Sequence, residues 1–216
     1  MKSPGRWGLS ILLLGLAFAT LQPALAYNYP LSPEAIREAY FLGKRNDEQT
    51  AAFFVKYIHS FPMPKSGPYV ASIGIDTPYS AIVRRTQNSP IGYHPQEAEK
   101  EFLGNPGVFR VWVEIEFTPS YPNPTQMSPY TNGGVWIPDF WRDFKIRLKQ
   151  DREIEAQSVH GGPIYSDYAA DIYGMAGAEV ALDYNPTKIG AEPTDIEVIT
   201  PDGQDIETTF DLANLR

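Results

Sequence analysis

The chain contains no cysteine. That excludes a disulfide framework, a thiolate metal site, a cysteine nucleophile and an N-terminal lipidated cysteine. Histidine is nearly as scarce: only His59, His94 and His160 occur, with no H-E-x-x-H and no i, i+4 pair. A zinc centre would need all three to converge from distant segments, so no metal is expected. Basic residues are in deficit, 18 Lys and Arg against 26 Asp and Glu, giving a net charge of −8. Nucleic acids and anionic membranes require clustered Lys and Arg, so neither is an expected partner. There is no P-loop, no G-x-G-x-x-G and, beyond residue 26, no G-x-S-x-G nucleophile elbow. Cofactor binding and esterase chemistry therefore have no sequence support, and His160-Gly161-Gly162 alone does not make an oxyanion loop.

One apolar run is present, at the N-terminus. Lys2 and Arg6 precede Leu9–Leu21, Pro23 follows, and Ala24-Leu25-Ala26 offers small residues flanking a cleavage point. This is the pattern of a secretory signal peptide over residues 1–26. The run is short for a membrane span, which takes about 20 apolar residues. A soluble bacterial protein exported to the periplasm or beyond, with no membrane span in its mature chain, is the expected product.

Helical signals come next. Ser32-Pro33-Glu34 supplies a hydroxyl cap, a first-turn proline and an acid at the positive end of the dipole, with Gly43 as the expected stop. A second helix is expected from Asn46 or Asp47, because Phe54, Tyr57, Ile58 and Phe61 recur at i, i+3, i+4, i+7 before Pro62. Together they predict a helical hairpin over residues 27–64, docked on a body spanning 65–216. On this reading His59 lies on the second helix's polar face.

From Tyr69 the period changes to two. Tyr69–Ile75 and Val108–Phe117 read as strands; in the latter Val111, Val113, Ile115 and Phe117 alternate with Trp112, Glu114 and Glu116. Tyr79–Arg85 fits helix or strand equally, and His94–Leu103 reads as a short helix before Gly104. Phe144–Lys149 alternates apolar and basic residues, Glu153–Val159 is its expected partner, and His160 then lies in a turn. Ala178–Tyr184 alternates again. Asp195–Thr200 and Ile206–Leu212 flank Pro201-Asp202-Gly203-Gln204, a hairpin signal. Seven to nine strands without regular helices between them predict a mainly β fold. The expected architecture is an antiparallel β-sandwich, immunoglobulin-like or jelly-roll-like, with the N-terminal helical hairpin.

Two places carry candidate chemistry. On a strand, Trp112, Glu114 and Glu116 share one face at about 6.5–7 Å intervals. An aromatic platform beside carboxylates suits a sugar ring. Glycosidases use carboxyl pairs at about 5–5.5 or 6.5–9.5 Å, but the pair must flank the bond from two sides. The second place is the stretch from Thr118 to Trp141, which holds five prolines between Pro119 and Pro138. Its Tyr121, Tyr130, Trp136 and Trp141 provide rigid contact area for a ligand, or simply pack on the sheet edge. These residues and Trp112 are the expected ligand contacts. The function they support is a non-catalytic module binding a glycan or an envelope protein. The alternatives are a polysaccharide hydrolase using Glu114 or Glu116 with a carboxylate from another strand, and a structural subunit docking through residues 27–61.

Overall fold

The computed structural model describes residues 27–120, 139–169 and 172–216, with side chains omitted for 166–174. The expected signal peptide lies outside the described residues, as do Tyr121, Tyr130 and Trp136. The fold is mainly β, with antiparallel sheets and, among the described residues, four α-helices. No helix among the described residues is long and apolar enough to cross a membrane.

Helix α1 (Pro33–Arg45) starts as its sequence dictates, with Ser32 Oγ accepting from the Ala35 N–H at 3.2 Å. It does not stop at Gly43. Asn46, in the left-handed region at φ 45°, ends it instead. Gly43 serves a packing role: a Cβ there would collide with the Val83 carbonyl and Thr86, so α1 can cross α3 (Pro78–Gln87) closely. The stretch from Tyr79 to Arg85 is thus helical, capped by Thr77 and Ser80 bonding each other's N–H groups. Helix α4 (Pro95–Gly104) follows, with Glu97 accepting from the His94 N–H at 3.0 Å. Ile36, Ala39, Tyr40, Tyr79, Ile82, Val83, Ala98 and Phe102 make these three helices a core of their own.

Helix α2 runs only over Glu48–Val55. The expected continuation to Phe61 is replaced by strand β1 (Ile58–Ser60), paired antiparallel to β2 (Pro68–Asp76) with His59 opposite Ile73. Backbone pairing to β2 overrides the helical spacing of the aromatics. His59 is therefore not on a helix face; its ring meets Phe210 edge-on at 4.6 Å.

Strands β3 (Phe109–Phe117), β4 (Lys145–Lys149), β5 (Glu153–Ile154), β6 (Ser158–Ala169), β7 (Ile172–Tyr184), β8 (Pro193–Ile199) and β9 (Asp205–Asp211) complete the sheets. One sheet has the order β1-β2-β3-β7-β6 and the other β5-β4-β8-β9. Glu153–Ile154 pairs with β4 as expected, but the chain then leaves that sheet. Ser158 onward joins β7 in the five-stranded sheet, so His160 is on a strand and not in a turn. Helices α3 and α4 stand between the neighbouring strands β2 and β3: α4 forms where His94–Leu103 was expected to be helical, and α3 settles the ambiguous stretch Tyr79–Arg85 as helix. Inward residues of both sheets meet in one cluster that includes Ile73, Val113 and Val180 from one and Leu148, Ile196 and Phe210 from the other. The β8–β9 hairpin forms as predicted, with Gly203 at φ 84° in its turn.

Candidate functional site

Alternation along β3 builds the site. Phe109, Val111, Val113 and Ile115 point into the core and are fully buried. Arg110, Trp112, Glu114 and Glu116 therefore stand on the opposite, outer face of the five-stranded sheet. Register fixes their neighbours there. Asp76, Gly74, Ser72 and Tyr69 of β2 lie opposite Arg110, Trp112, Glu114 and Glu116, with a bulge between Val70 and Ser72. On the other side β7 sets Asp183, Ala181, Glu179 and Gly177 against the same four residues.

Trp112 is partly exposed and its indole lies across Gly74, so closely that a Cβ on Gly74 would overlap the ring. Ala181 on the other side is also small. The indole is thus set down on the sheet between two low neighbours. A glycine inside a strand commonly marks such an approach.

Beyond the tryptophan the face turns acidic. Ser72 Oγ donates to Glu114 Oε2 at 2.8 Å and the Tyr69 hydroxyl donates to Glu116 Oε2 at 2.7 Å. Burial, reinforced by the Glu116 carboxylate, pushes the Tyr69 hydroxyl up to about 12, so it remains a donor. Each carboxylate is held by one donor and keeps further acceptor capacity. Glu114 also faces Glu179 directly across the β3–β7 ladder. Like charges in that position repel, with Cβ atoms only about 4.5–5.5 Å apart.

On the other side of the tryptophan the face is ionic. Arg110 grips Asp183 through two bonds, Nε to Oδ1 at 2.6 Å and Nη2 to Oδ2 at 3.0 Å. The guanidinium holds the Asp183 carboxyl below its ordinary range. Arg84 of α3 reaches Asp76 at 2.9 Å. At the far end His160 Nε2 lies 3.7 Å from Asp183 and 3.1 Å from Ser158 Oγ. A row of alternating charge thus runs from Arg84 of α3 through Asp76 and Arg110 to Asp183, across three strands.

The structure brings Trp112, Glu114 and Glu116 together as the spacing predicted. Trp141 is elsewhere. It sits in a short 3₁₀ turn, Phe140–Asp143, buried to 8% exposure in the shared core, with its ring across Gly161 of β6. It also borders a hollow of about 460 Å³ with Phe144, Ile146 and Leu182. Sequence reasoning missed Tyr69, Ser72, Glu179 and the Arg110–Asp183 pair on the outer face. Gly74 was the one available signal, as a glycine between Ile73 and Ile75 inside a strand pattern. His59, His94 and His160 lie on β1, at the start of α4 and on β6. Among the described residues no cluster of three His, Asp or Glu side chains is arranged to hold a metal ion.

No protein-family model matches the chain, and no curated protein is similar to it.

Proposed function

We propose that this chain is an exported, non-catalytic glycan-binding module. Residues 1–26 serve as its signal peptide and its two sheets pack as a β-sandwich. The outer face of the five-stranded sheet is the binding surface. The observation that carries this reading is the Trp112 indole, laid across Gly74 and partly open to solvent, with Glu114 and Glu116 following it along the strand. A flat aromatic ring offers an apolar platform for the C–H face of a pyranose. Carboxylates with unused lone pairs accept from the hydroxyls around the ring's edge. A protein partner would more usually be met by a larger apolar patch with a polar rim.

The face suits binding better than hydrolysis. Glu114 and Glu116 project from one strand in one direction, and both are already hydrogen-bonded. Glu179 does supply a carboxylate from another strand, which keeps a polysaccharide-acting hydrolase as the second reading. Its carboxylate rises from the same face of the sheet, however, where two groups approach a glycosidic bond from one side only.

Isothermal titration with a panel of soluble oligosaccharides tests the proposal. Trp112→Ala is expected to weaken the bound member about ten-fold or more, at about 1–3 kcal/mol for the lost stacking and burial, while the fold remains. Unchanged affinity in that variant removes the platform from the reading. Release of reducing ends that stops in both Glu114→Gln and Glu179→Gln would favour the hydrolase.

A further inference from the structure

The ionic end of the outer face leads into a cavity of about 680 Å³ between α3, the loop that follows it, Glu101 of α4 and the beginning of β3. Its volume is within the usual range for a small-molecule site, roughly 300–1,000 Å³. Three guanidiniums, Arg84, Arg85 and Arg110, line it with two carboxylates, Asp76 and Glu101, and the Tyr93 hydroxyl. Asp183, bonded to Arg110, is a third carboxylate beside them, so each guanidinium is paired with one acid.

The guanidiniums are held in place. Arg85 bonds Glu101 twice, Nε to Oε2 at 2.6 Å and Nη2 to Oε1 at 2.9 Å, and Tyr93 donates to the same carboxylate at 2.8 Å. Arg110 is fixed in the same bidentate way by Asp183. Arg84 bonds Asp76 and lies over the Phe54 ring, 4.7 Å from its centroid. These contacts leave Nη1 of both Arg85 and Arg110 without a hydrogen-bond partner among the described residues. Glu101 and Asp183 have both oxygens engaged, and Asp76 accepts through Oδ1, which leaves its Oδ2 as the one carboxylate oxygen of the three without a donor among the described residues. The cavity's spare capacity is therefore mainly N–H donors on rigid, permanently charged planes. A neutral hydroxyl needs acceptors as well as donors, whereas an oxyanion needs donors alone.

We infer that this cavity binds an oxyanion, and that the anion is the carboxylate of an acidic sugar residue whose neighbour stacks on Trp112. Its saccharide part rests on the glycan reading above. Arg110 and Trp112 are alternate residues on one strand face, about 7 Å apart, which is within reach of adjoining sugar units.

Titration of the intact protein with three probes tests the inference: a trimer of galacturonic acid, the matching neutral galactose trimer, and inorganic sulfate. The acidic trimer is expected to bind at least about ten-fold more tightly than the neutral one, the worth of one or two charge-assisted hydrogen bonds. Arg85→Gln and Arg110→Gln should each remove most of that preference. Arg110→Gln leaves Asp183 poorly paired and can unfold the sheet. The Arg85 side chain is 64% exposed, so Arg85→Gln keeps the test open in a folded protein. Trp112→Ala should weaken both trimers alike and leave their ratio intact. Equal binding of the two trimers, or a preference that survives Arg85→Gln, overturns the inference while the glycan reading stands. Sulfate bound in an Arg85-dependent way, with neither trimer bound, supports the oxyanion site and removes the glycan reading. No binding of sulfate or of either trimer overturns the cavity inference outright.

Discussion

Two tryptophans occupy similar seats on opposite sides of one sheet. Trp112 lies across Gly74 on the outer face, and Trp141 lies across Gly161 on the side that faces the shared core. Both seats depend on a glycine, because any Cβ would occupy the ring's position. The difference is what lies above the ring. Trp141 is enclosed with Phe140 and Phe144 around it, at 5.7 Å between the Phe140 and Trp141 ring centroids. Trp112 keeps part of its surface in water beside Glu114 and Arg110. The same local geometry therefore holds the fold together on one side and presents a surface on the other. Sequence treats both as aromatic binding candidates, since neither the chain order nor the residue type says which face a ring will take.

This contrast can be broken experimentally. The largest effect is expected from Trp141→Ala, which should cost about 3–5 kcal/mol of unfolding free energy, measured by denaturant titration, as for other buried large-to-alanine changes. Trp112→Ala should cost much less. Equal losses would mean that the two seats are energetically alike. Gly74→Val comes next: the new side chain overlaps the Trp112 indole, so the ring must leave. A loss of about 1–3 kcal/mol is expected, with a shift in tryptophan fluorescence and loss of saccharide binding.

A pH titration of stability probes the ionic part of the outer face. Arg110 depresses the folded-state pKa of Asp183. The unfolded state therefore takes up the proton first as the solution is acidified. The pair's contribution is complete above the ordinary aspartate pKa of about 3.9 and is lost as pH falls through the lower folded value. Asp183→Asn should flatten that acid limb of the melting temperature against pH, and an unchanged limb would show that Arg110 contributes nothing there. The smallest effect is expected at Glu114→Gln. It removes the repulsion with Glu179 but keeps an acceptor for Ser72, so stability should rise by about 0.2–1 kcal/mol. A fall of that size would mean the facing carboxylates are not in net repulsion.

Much of the β framework was legible. Alternation in Val111–Phe117, Phe144–Lys149 and Ala178–Tyr184 identified strands and their buried sides, because one face of each is dry. The Asp202-Gly203 turn identified its hairpin. Ile58–Ser60 was misread because Phe54, Tyr57, Ile58 and Phe61 satisfy a helical period, while the strand forms only where β2 offers a partner. Helix α1 was extended past Gly43 for a comparable reason: the glycine answers to α3, a contact invisible along the chain. At the candidate site, Trp112, Glu114 and Glu116 were readable as a row. Tyr69, Gly74 and Glu179 were not, since their membership depends on register and on the bulge after Val70. The arginine-lined cavity was hidden further still, because Arg84 and Arg85 meet Arg110 only after β2 pairs with β3.

That last pairing bears on how the molecule assembles. Asp76 and Arg110 face each other across the ladder, yet α3 and α4 lie between them in sequence. Closing a long flexible loop before any ladder bond forms is entropically unfavourable. Helices are built from local contacts and form on shorter timescales than such a closure. Once docked on α1, the two helices act as a pre-folded turn that delivers the ends of β2 and β3 to one another. Docking of the helices on α1 then shortens the closure that the central ladder has to make, and destabilising the α1–α3 crossing at Gly43 is expected to slow refolding of the β2–β3 ladder, as measured by stopped-flow kinetics.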